Sequence, residues 1–459
     1  MEFNILHTND IHSAFEQFSK AVTKINELRN ENTLLFDAGD FADFKRLELQ
    51  GTDGMAAVEL LENAGYDAIA IGNNETFNGI DILVNMAVNS RVPFLSCNLY
   101  MSNGTAIDGV KSSIIIEKAG IRFLVMGLSP SIGTFDKLMG LYIKPYVQAV
   151  SDEMKLQAGK YDICIVLSHI GMDGDLNIAK ELSGVDVIIG GHFHILMDKP
   201  KLVNETLIFT SGCFGEHVGY LKVNIDSKSL ELIEGENINV EKFDQSKEIL
   251  DILRTNKEKA IDKLGKPLYS IHKDLWHDVA EENPMTNLLA DALTDTLKCE
   301  IGIINSGVLN GGIRKGGVSV KKLLELCPSP LNPTSFEILG KHLKEALENS
   351  LDNDYCFSSG KGPGFRGKYL GRLHVSNAII EHDGRSIKNI FINGKKLDEE
   401  RWYTVASSDY LQRGTGYTSL KNNRNQKYNN EYLRETLREY LNNKEFVEEA
   451  FRDRWINLR

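Results

Sequence analysis

Short apolar runs are the most regular feature of the first half of this chain. Each run is rich in β-branched or aromatic residues and ends at polar residues, which is the pattern of a buried strand. Five of these runs occupy residues 3–6, 33–36, 68–71, 163–167 and 185–189. Helix-like stretches at 18–30 and 54–64 lie between them. Strands that alternate with helices predict an α/β domain.

Side chains of the types that bind metal ions follow these five runs. They are Asp10, His12, Asp40, Asn73, His169, His192 and His194. Open α/β sheets place their functional sites at the carboxyl ends of the strands, so we expect these side chains to converge. A single Asp-x-His pair is common in turns. Five motifs with metal-binding side chains, each after a predicted strand, together predict a metal site. Mixed Asp, His and Asn ligation suits Mn²⁺, Zn²⁺, Fe²⁺ or Co²⁺ better than Mg²⁺ or Ca²⁺.

The motifs HTNDIH, DAGD, GNNE, LSHIG and GGHFH resemble those of the 5'-nucleotidase family. In that family a calcineurin-like metallophosphoesterase domain precedes a C-terminal domain that recognises nucleotides. The resemblance covers nearly the whole chain. It implies an N-terminal β-sandwich flanked by helices, in four layers α/β/β/α, followed by a smaller α+β domain.

The resemblance also implies two divalent metal ions that share one carboxylate. The first ion would be held by Asp10, His12, Asp40 and His194, and the second by Asp40, Asn73, His169 and His192. Asp40 would bridge the two ions. Two ions about 3.5 to 4 Å apart neutralise the oxygens of a phosphate ester and generate hydroxide near neutral pH.

A charged, helix-favouring segment at residues 240–264 separates the two halves of the chain. Ile249, Leu250, Leu253 and Ile261 can form one apolar face of this helix. We therefore predict three parts: a metallophosphoesterase domain at 1–235, a linker helix at 236–264 and a substrate-recognition domain at 265–459. In the last part we expect helices at 284–298 and 341–349, and strands at 301–304 and 335–338.

Two glycine-rich loops of the second half resemble the nucleotide-binding loops of the family. Asn305 and Gly307 match an Asn-x-Gly loop that meets phosphate or ribose groups. Gly414, Gly416 and Tyr417 match a late Gly-x-Gly-aromatic loop, and we expect the ring of Tyr417 to stack on the nucleobase. A tight turn is the alternative interpretation of both loops.

The arginine that comes after the Asn-x-Gly loop in the family does not align cleanly here. Asn310 occupies its position, and Ser329 stands where relatives often have a stacking Phe. Arg314 can reach the site from a shifted loop, and Arg366 is a second candidate for contact with phosphate. We therefore include Asn310, Arg314 and Arg366 among the predicted substrate-binding residues.

The motif GNNETF departs from the family pattern Gly-Asn-His-Glu-Phe-Asp at two positions. The family uses that His to protonate the leaving oxygen and that Asp to orient it, whereas this chain has Asn74 and Phe77. An amide is not a general acid, and loss of one typically costs about 10² to 10⁴ in rate. Asn74 can still donate a hydrogen bond to a phosphoryl oxygen.

Three explanations of this departure are open. The substrate can have a leaving group that needs little protonation, such as the phosphate end of a pyrophosphate. Another histidine, His217 or His7, can supply the proton, although a lone His is more often structural. Alternatively, the chain is a binding protein that retains its metals and has lost turnover.

Composition and charge narrow the class of partner. The 459 residues carry a net charge of -12, which argues against a nucleic-acid polymer because phosphate backbones need a basic surface. The six cysteines show neither zinc spacing nor a disulfide framework. No signal peptide precedes the first predicted strand, and no apolar run reaches the length of a membrane span. We therefore predict a cytoplasmic protein that acts on a small nucleotide.

The function that these observations favour is metal-dependent hydrolysis of phosphate esters or anhydrides in nucleotides. Nucleoside monophosphates, UDP-sugars and cyclic nucleotides are the substrate types that the resemblance allows. The alternative is a catalytically weakened nucleotide-binding or sensor protein. Turnover distinguishes the two, because a binding module seldom needs a metal site that is open to substrate.

Overall fold

The computed structural model describes residues 1–226, 229–362 and 364–459. Contacts within the chain divide it into two compact units, Met1–Lys263 and Leu264–Arg459. Each unit has its own hydrophobic core. In the described residues, no helix is long and apolar enough to cross a membrane.

The first unit alternates strands and helices, as the apolar runs predict. Its elements are β1 (Glu2–Thr8), α1 (Phe15–Leu28), β2 (Thr33–Asp37), α2 (Leu47–Gly51), α3 (Met55–Ala64), β3 (Ala68–Ala70), α4 (Asn74–Phe77), α5 (Ile80–Asn89), β4 (Phe94–Leu95), β5 (Leu99–Met101), β6 (Ser113–Lys118), β7 (Ile121–Leu128), α6 (Thr134–Leu138), β8 (Leu141–Ile143), α7 (Tyr146–Leu156), β9 (Ile163–Ser168), α8 (Met172–Glu181), β10 (Val187–Gly190), β11 (Lys201–Val203), β12 (Thr206–Phe209), β13 (His217–Asp226), β14 (Ser229–Asn239) and α9 (Lys247–Leu264).

Two six-stranded sheets form the centre of this unit. The first has the order β14-β13-β1-β2-β3-β4, and the second has the order β11-β12-β10-β9-β7-β6. Strands β1 to β4 run parallel in the first sheet, and β7, β9, β10 and β12 run parallel in the second. The register pairs Thr8 with Asp37 and Gly190 with Ser168, so neighbouring strands end at the same edge.

The sheets pack face to face and carry helices on their outer faces. Ile5 and Phe36 of the first sheet share one core with Ile165 and Ile189 of the second. Successive residues of β1 serve different cores, because Leu6 faces the helices while Ile5 faces the other sheet. Strands buried on both faces have continuous apolar sequences, which explains the uninterrupted runs. The predicted four-layer α/β/β/α arrangement is confirmed.

The second unit is smaller and mixes strands with helices in an α+β arrangement. Its elements are β15 (Pro267–Ile271), α10 (Pro284–Leu297), β16 (Ile301–Asn305), a 3₁₀ turn (Ser306–Val308), β17 (Gly316–Ser319), α11 (Val320–Leu326), β18 (Pro333–Leu339), α12 (Gly340–Asn349), α13 (Asn353–Cys356), β19 (Leu373–Ser376), β20 (Ala378–His382), β21 (Ile387–Ile392), β22 (Lys395–Lys396), β23 (Trp402–Ser408), α14 (Asp409–Gln412), a 3₁₀ turn (Thr418–Lys421), β24 (Asn423–Tyr428), α15 (Leu433–Leu441), α16 (Lys444–Glu449) and β25 (Trp455–Asn457). Its largest sheet has the order β19-β16-β23-β18-β24.

The helix predicted as a linker packs instead on the first unit. Residues 236–239 belong to β14, and α9 starts only at Lys247. Ile249 and Leu253 are buried in the core beneath the first sheet, and a Cβ at Gly51 would lie 2.2 Å from the Cβ of Ala260. Ile261, predicted on the apolar face, is 43% exposed. The apolar stripe of α9 is narrower than predicted, and α9 is part of the outer helical layer of the first unit.

Candidate metal centre

Two groups of donor side chains lie at the carboxyl ends of the two sheets. Asp10, His12 and His194 form one group, and Asp40, His169 and His192 form the other. Within each group one donor atom per residue lies within 4.8 Å of the others. Strands from both sheets supply each group, so the sandwich places side chains from distant parts of the sequence at one edge.

The two carboxylates connect the groups. One oxygen of Asp40 (Oδ2) lies 3.2 Å from Nε2 of His169 and 3.7 Å from Nε2 of His12. One oxygen of Asp10 (Oδ1) lies 3.7 Å from Nε2 of His169 and 3.5 Å from Nε2 of His194. Asp40 therefore contacts a histidine of each group, as a bridging ligand would.

The loops that carry these donors have an unusual backbone. Asp10, His12, Asp40, His192 and His194 adopt positive φ angles of 52°, 48°, 55°, 81° and 56°. Residues other than glycine rarely adopt this left-handed conformation, and it persists where surrounding structure enforces it, commonly at functional sites. The concentration of strain here indicates that the loops are shaped to direct these side chains inward.

Glu75 of the GNNE motif holds the loops in this shape. Its buried carboxylate accepts hydrogen bonds from the backbone N–H groups of Gly72 at 2.8 Å, Ala42 at 3.0 Å and Asp40 at 3.1 Å. Gly72 packs so closely that a Cβ there would lie 2.2 Å from Oδ1 of Asp40. Glu75 therefore fixes the position of Asp40 without itself facing the other donors.

Two buried donor atoms fit a metal ion and little else. Nδ1 of His169 donates to the carbonyl of Ala38 at 2.7 Å, which leaves the lone pair on Nε2. Such a bond is the usual way to fix the tautomer of a metal-ligating histidine. Oδ1 of Asn73 is buried and makes no hydrogen bond within the described residues, and the polar neighbour of the buried Nε2 of His169 is the Asp40 carboxylate at 3.2 Å. Because unpaired buried polar atoms are costly, this donor set fits divalent ions.

The charges of the centre are strongly coupled. Burial lowers the pKa of His169, but the carboxylates of Asp40 and Asp10 outweigh burial and raise the pKa to about 10. Burial raises the pKa of Asp40, but His169 and His12 outweigh it and lower the pKa below its usual range. Without ions, a proton on His169 therefore offsets the charge of the carboxylates, and a cation that binds at this histidine must displace that proton.

Asn74, predicted as a catalytic residue, contacts two donors. Its backbone N–H donates to Oδ1 of Asp40 at 2.8 Å. Its side-chain amide nitrogen lies 2.8 Å from Oδ2 of Asp40 and 3.1 Å from Nδ1 of His12. The amide is therefore engaged in orienting the bridging carboxylate and one histidine.

The two histidines considered as replacement acids lie in different surroundings. His217 begins β13, is partly exposed and contacts Asn239 at 3.2 Å. Its role as an acid stays a prediction. His7 is fully buried against Phe209 in the core between the sheets, and burial lowers its pKa to about 3. A ring that is neutral at pH 7 and enclosed by the core is not a proton donor for substrate.

Three predicted substrate residues hold a loop of the second unit. The side-chain amide of Asn305, which is fully buried, donates to the carbonyl of Leu370 at 2.6 Å. The hydroxyl of Tyr417 donates to the carbonyl of Gly371 at 2.8 Å. A Cβ at Gly307 would lie 2.0 Å from the carbonyl oxygen of Tyr369. These residues fix segment 369–371.

The predicted stacking role of Tyr417 does not fit this geometry. Its side chain is 0% exposed and packs against Tyr355, with ring centroids 5.4 Å apart. A nucleobase cannot stack on a ring that has no exposed face. Gly414 and Gly416 have φ angles of 74° and 84°, which agrees with the alternative interpretation of this loop as a tight turn, and the motif does not reveal which way the aromatic side chain points.

The remaining predicted substrate residues lie near the surface of the second unit. Asn310 and Arg314 are exposed, while Arg366 is half-buried. The backbone N–H of Arg366 donates to Oγ of Ser329 at 3.0 Å, so the CPSP segment and the 366 loop adjoin. The roles of Asn310, Arg314 and Arg366 in phosphate binding stay predictions.

Sequence reasoning missed three residues of the centre. Glu75 stands in the GNNE motif. An acidic residue that follows two amides after a strand could have predicted a role for Glu75 in the centre. Phe193 lies between two donor histidines in GGHFH, and Phe214 lies in a loop far along the chain. No pattern in the sequence places Phe214 beside His12, because only the long-range topology of the sandwich brings these loops together.

Family comparisons agree with this arrangement. Residues 3–196 match the family described as calcineurin-like phosphoesterase, and residues 263–422 match the one described as 5'-nucleotidase, C-terminal domain. The Bacillus subtilis protein named uncharacterized metallophosphoesterase YunD is 28% identical, over 96% of this chain and 98% of that protein. A 5'-nucleotidase from Diplobatis ommata is 26% identical, over 92% of this chain and 84% of that protein.

The fold comparison gives the same result. The crystal structure of a 5'-nucleotidase precursor from Thermus thermophilus aligns over 100% of both chains, with a TM-score of 0.59 and 22% identity. The fold and the paired donor groups thus define a metallophosphoesterase, a class of hydrolytic enzymes. The chain carries a calcineurin-like phosphoesterase domain at residues 3–196 and a 5'-nucleotidase C-terminal domain at residues 263–422, and the phosphoesterase family implies divalent metal ions.

The variant Asp40→Ala should lose bound metal without unfolding. Asp40 contacts both groups, whereas a residue at the end of a loop contributes little to core packing. Metal content after loading with Mn²⁺ and dialysis should fall from two ions per chain to one or none, with an unchanged circular dichroism spectrum. Asp81→Ala, which removes an aspartate outside the centre, is the control. Full metal content in Asp40→Ala would exclude the bridging role.

The variant Tyr417→Ala should lose stability rather than nucleotide affinity. Removal of a buried aromatic side chain typically costs about 3 to 5 kcal/mol. Chemical denaturation should show this loss in the free energy of unfolding. A ten-fold rise in KM for nucleotides, with unchanged stability, would instead restore the stacking role.

Proposed function

We propose that this chain hydrolyses phosphate esters or anhydrides of nucleotides with the aid of two divalent ions. The observation that supports this most strongly is the position of Asp40, whose Oδ2 lies 3.2 Å from His169 and 3.7 Å from His12. A carboxylate between two groups of metal-type donors is the arrangement that a two-ion phosphoesterase needs.

We assign the residues to the two ions as the resemblance implies. One ion would be held by Asp10, His12, Asp40 and His194, and the second by Asp40, Asn73, His169 and His192. When bound, such ions offset the charge of phosphate oxygens and activate water near neutral pH. The mixed N and O donor set favours Mn²⁺, Zn²⁺, Fe²⁺ or Co²⁺.

The leaving group is the point at which this chain differs from its family pattern. The side-chain amide of Asn74 lies against Asp40 and His12, and His7 is enclosed in the core. Neither provides a proton to a departing oxygen. We infer that good substrates have weakly basic leaving groups, such as the phosphate of a diphosphate or a phenolate.

A nucleotide is the substrate class that the second unit supports. It carries the family's C-terminal domain, and one relative of nearly full coverage is named 5'-nucleotidase. The net charge of -12 disfavours a nucleic-acid polymer as substrate. Asn310, Arg314 and Arg366 are our candidates for contact with the substrate. His217 is the candidate acid in the competing explanation, in which substrates with strongly basic leaving groups are cleaved as well. A cytoplasmic location is part of the same proposal.

A metal-retaining nucleotide sensor is the second candidate, because Asn74 takes the place of the family's acid. Release of inorganic phosphate decides between the two. The purified chain, loaded in turn with Mn²⁺, Zn²⁺, Fe²⁺ and Co²⁺, should cleave nucleoside diphosphates and nitrophenyl phosphate well and nucleoside monophosphates slowly. Nucleotide binding without release of phosphate from any substrate would favour the sensor.

Restoring the family pair should change the substrate preference in a defined direction. Asn74→His with Phe77→Asp supplies an acid and its orienting partner, so hydrolysis of nucleoside monophosphates should rise by about 10-fold or more. Hydrolysis of diphosphates should change less, because their leaving group needs no proton. Asn74→His alone is the matched control, and circular dichroism must show that each variant folds. An equal rise for both substrates would contradict the leaving-group argument.

A further inference from the structure

Two exposed phenylalanine rings lie against the two donor groups. The ring of Phe214 is centred 5.7 Å from that of His12 and 5.6 Å from that of His194. The ring of Phe193 is centred 4.9 Å from that of His192. Phe193 is 58% exposed and Phe214 is 40% exposed. Each group of donors therefore has one aromatic ring beside it that still faces solvent.

Phe214 is held in place by a strained backbone. Its φ angle is 57°, a conformation that a bulky residue adopts only when its surroundings enforce it. Its backbone N–H donates to the carbonyl of Asp10 at 2.8 Å. Asn9 anchors the same loop, since its side chain donates to the carbonyl of Gly212 at 2.7 Å and accepts from the N–H of Ser211 at 2.9 Å. The loop is thus tied to the end of β1.

Phe193 is seated by a glycine in the loop after His169. A Cβ at Gly171 would lie 2.5 Å from Cε2 of Phe193, so a side chain there would collide with the ring. Gly171 also has a φ angle of 84°, which favours glycine. The ring of Phe193 therefore packs on the backbone of the loop that follows His169, whereas Phe193 itself belongs to the loop that carries His192 and His194.

Exposed apolar surface that is bordered by polar residues often marks a ligand-binding site. Such surface costs solvation free energy unless a ligand covers it. Ile195 and Leu196, which come directly after His194, are exposed as well, and Leu196 lies 3.5 Å from a Cβ built at Gly212, two residues before Phe214. We call Phe193, Phe214, Ile195 and Leu196 the apolar rim. A substrate that binds at the donor groups would have its leaving group within reach of this rim.

We infer that the apolar rim binds an aromatic leaving group, so that the chain also hydrolyses phosphate monoesters of phenols. The inference rests on the metal-dependent hydrolysis proposed above and names the residues that would bind a phenolic leaving group. The sugar of a nucleoside monophosphate, not an aromatic ring, is next to its phosphate. An aryl phosphate places an aromatic ring directly at the leaving oxygen, where Phe193 and Phe214 offer stacking and edge contacts.

The chemistry of an aryl phosphate also matches the lack of an acid at residue 74. A water oxygen forms the new bond to phosphorus while the bond from phosphorus to the phenolic oxygen breaks. The electron pair leaves with a phenolate, which takes its proton from solvent, and a proton of the water is released. Phenols have a pKa near 10, as the tyrosine side chain does, so the phenolate can leave unprotonated. Alkoxides are far more basic and need an acid.

Steady-state kinetics on a matched pair of substrates tests the inference. Phenyl phosphate carries the ring, whereas inorganic pyrophosphate has a weakly basic leaving group without any carbon. In Phe193→Ala and Phe214→Ala, KM for phenyl phosphate should rise roughly ten-fold. Each variant removes about half of the apolar contact that the phenyl ring of the substrate would make. KM for pyrophosphate should change by less than about two-fold. Phe214→Leu retains apolar bulk, so its KM for phenyl phosphate should lie between those of the unchanged chain and Phe214→Ala. Leu202→Ala is the control, because Leu202 is an apolar residue elsewhere that is 64% exposed.

Binding to the Mn²⁺-loaded protein gives a second readout that does not depend on turnover. Calorimetry should show that phenylphosphonate binds roughly ten-fold more tightly than methylphosphonate, and that Phe214→Ala removes this preference. Metal content measured in parallel should not change. Equal affinity for the two phosphonates would overturn the rim inference, even if both phosphate substrates are hydrolysed. Tight phenylphosphonate binding without hydrolysis of any substrate would retain the rim and contradict the proposed function.

Equal losses for phenyl phosphate and pyrophosphate, together with lost metal, would also contradict the inference. That result would mean that the two rings only shield the donor histidines from water.

Discussion

The carboxylate of Asp40 is the contact on which the rest of the site depends. It lies between His169 of the second sheet and His12 of the first, and the backbone N–H of Asn74 fixes its orientation. Neither sheet alone could form this arrangement. The face-to-face packing of the two sheets brings the ends of their parallel strands to one edge, so the core between the sheets sets the geometry of the centre.

The strained backbone of the loops at that edge is stabilised by the two packed sheets beneath it. Positive φ angles at five donor residues are unfavourable in isolation, each by roughly 1 to 3 kcal/mol for strained residues of this kind. Glu75 offsets part of this conformational cost, because its carboxylate accepts hydrogen bonds from three backbone N–H groups. The packed strands hold the ends of the loops in place. The donor side chains are therefore preorganised, so ions would bind without a large rearrangement.

The sequence was sufficient for the five buried strands of the first unit and for the convergence of the side chains that follow them, because each signal is local or comes from a general rule. Apolar runs predict buried strands, and the parallel arrangement places the loops after those strands at one edge. Directions of side chains were not predictable in the same way. Tyr417 matches its motif yet lies inside the core, and Asn305 holds Leu370 instead of facing solvent. The packing of α9 and the position of Phe214 depend on long-range topology that no local pattern encodes.

The sharing of Asp40 between two ions is tested most directly by a crystal loaded with Mn²⁺. Anomalous scattering should show two peaks about 3.5 to 4 Å apart on either side of Asp40. Oδ1 of Asn73, which lacks a hydrogen-bond partner among the described residues, and Nε2 of His169 should lie within bonding distance of one of these peaks. A single peak, or two peaks that share no ligand, would contradict the bridging role of Asp40.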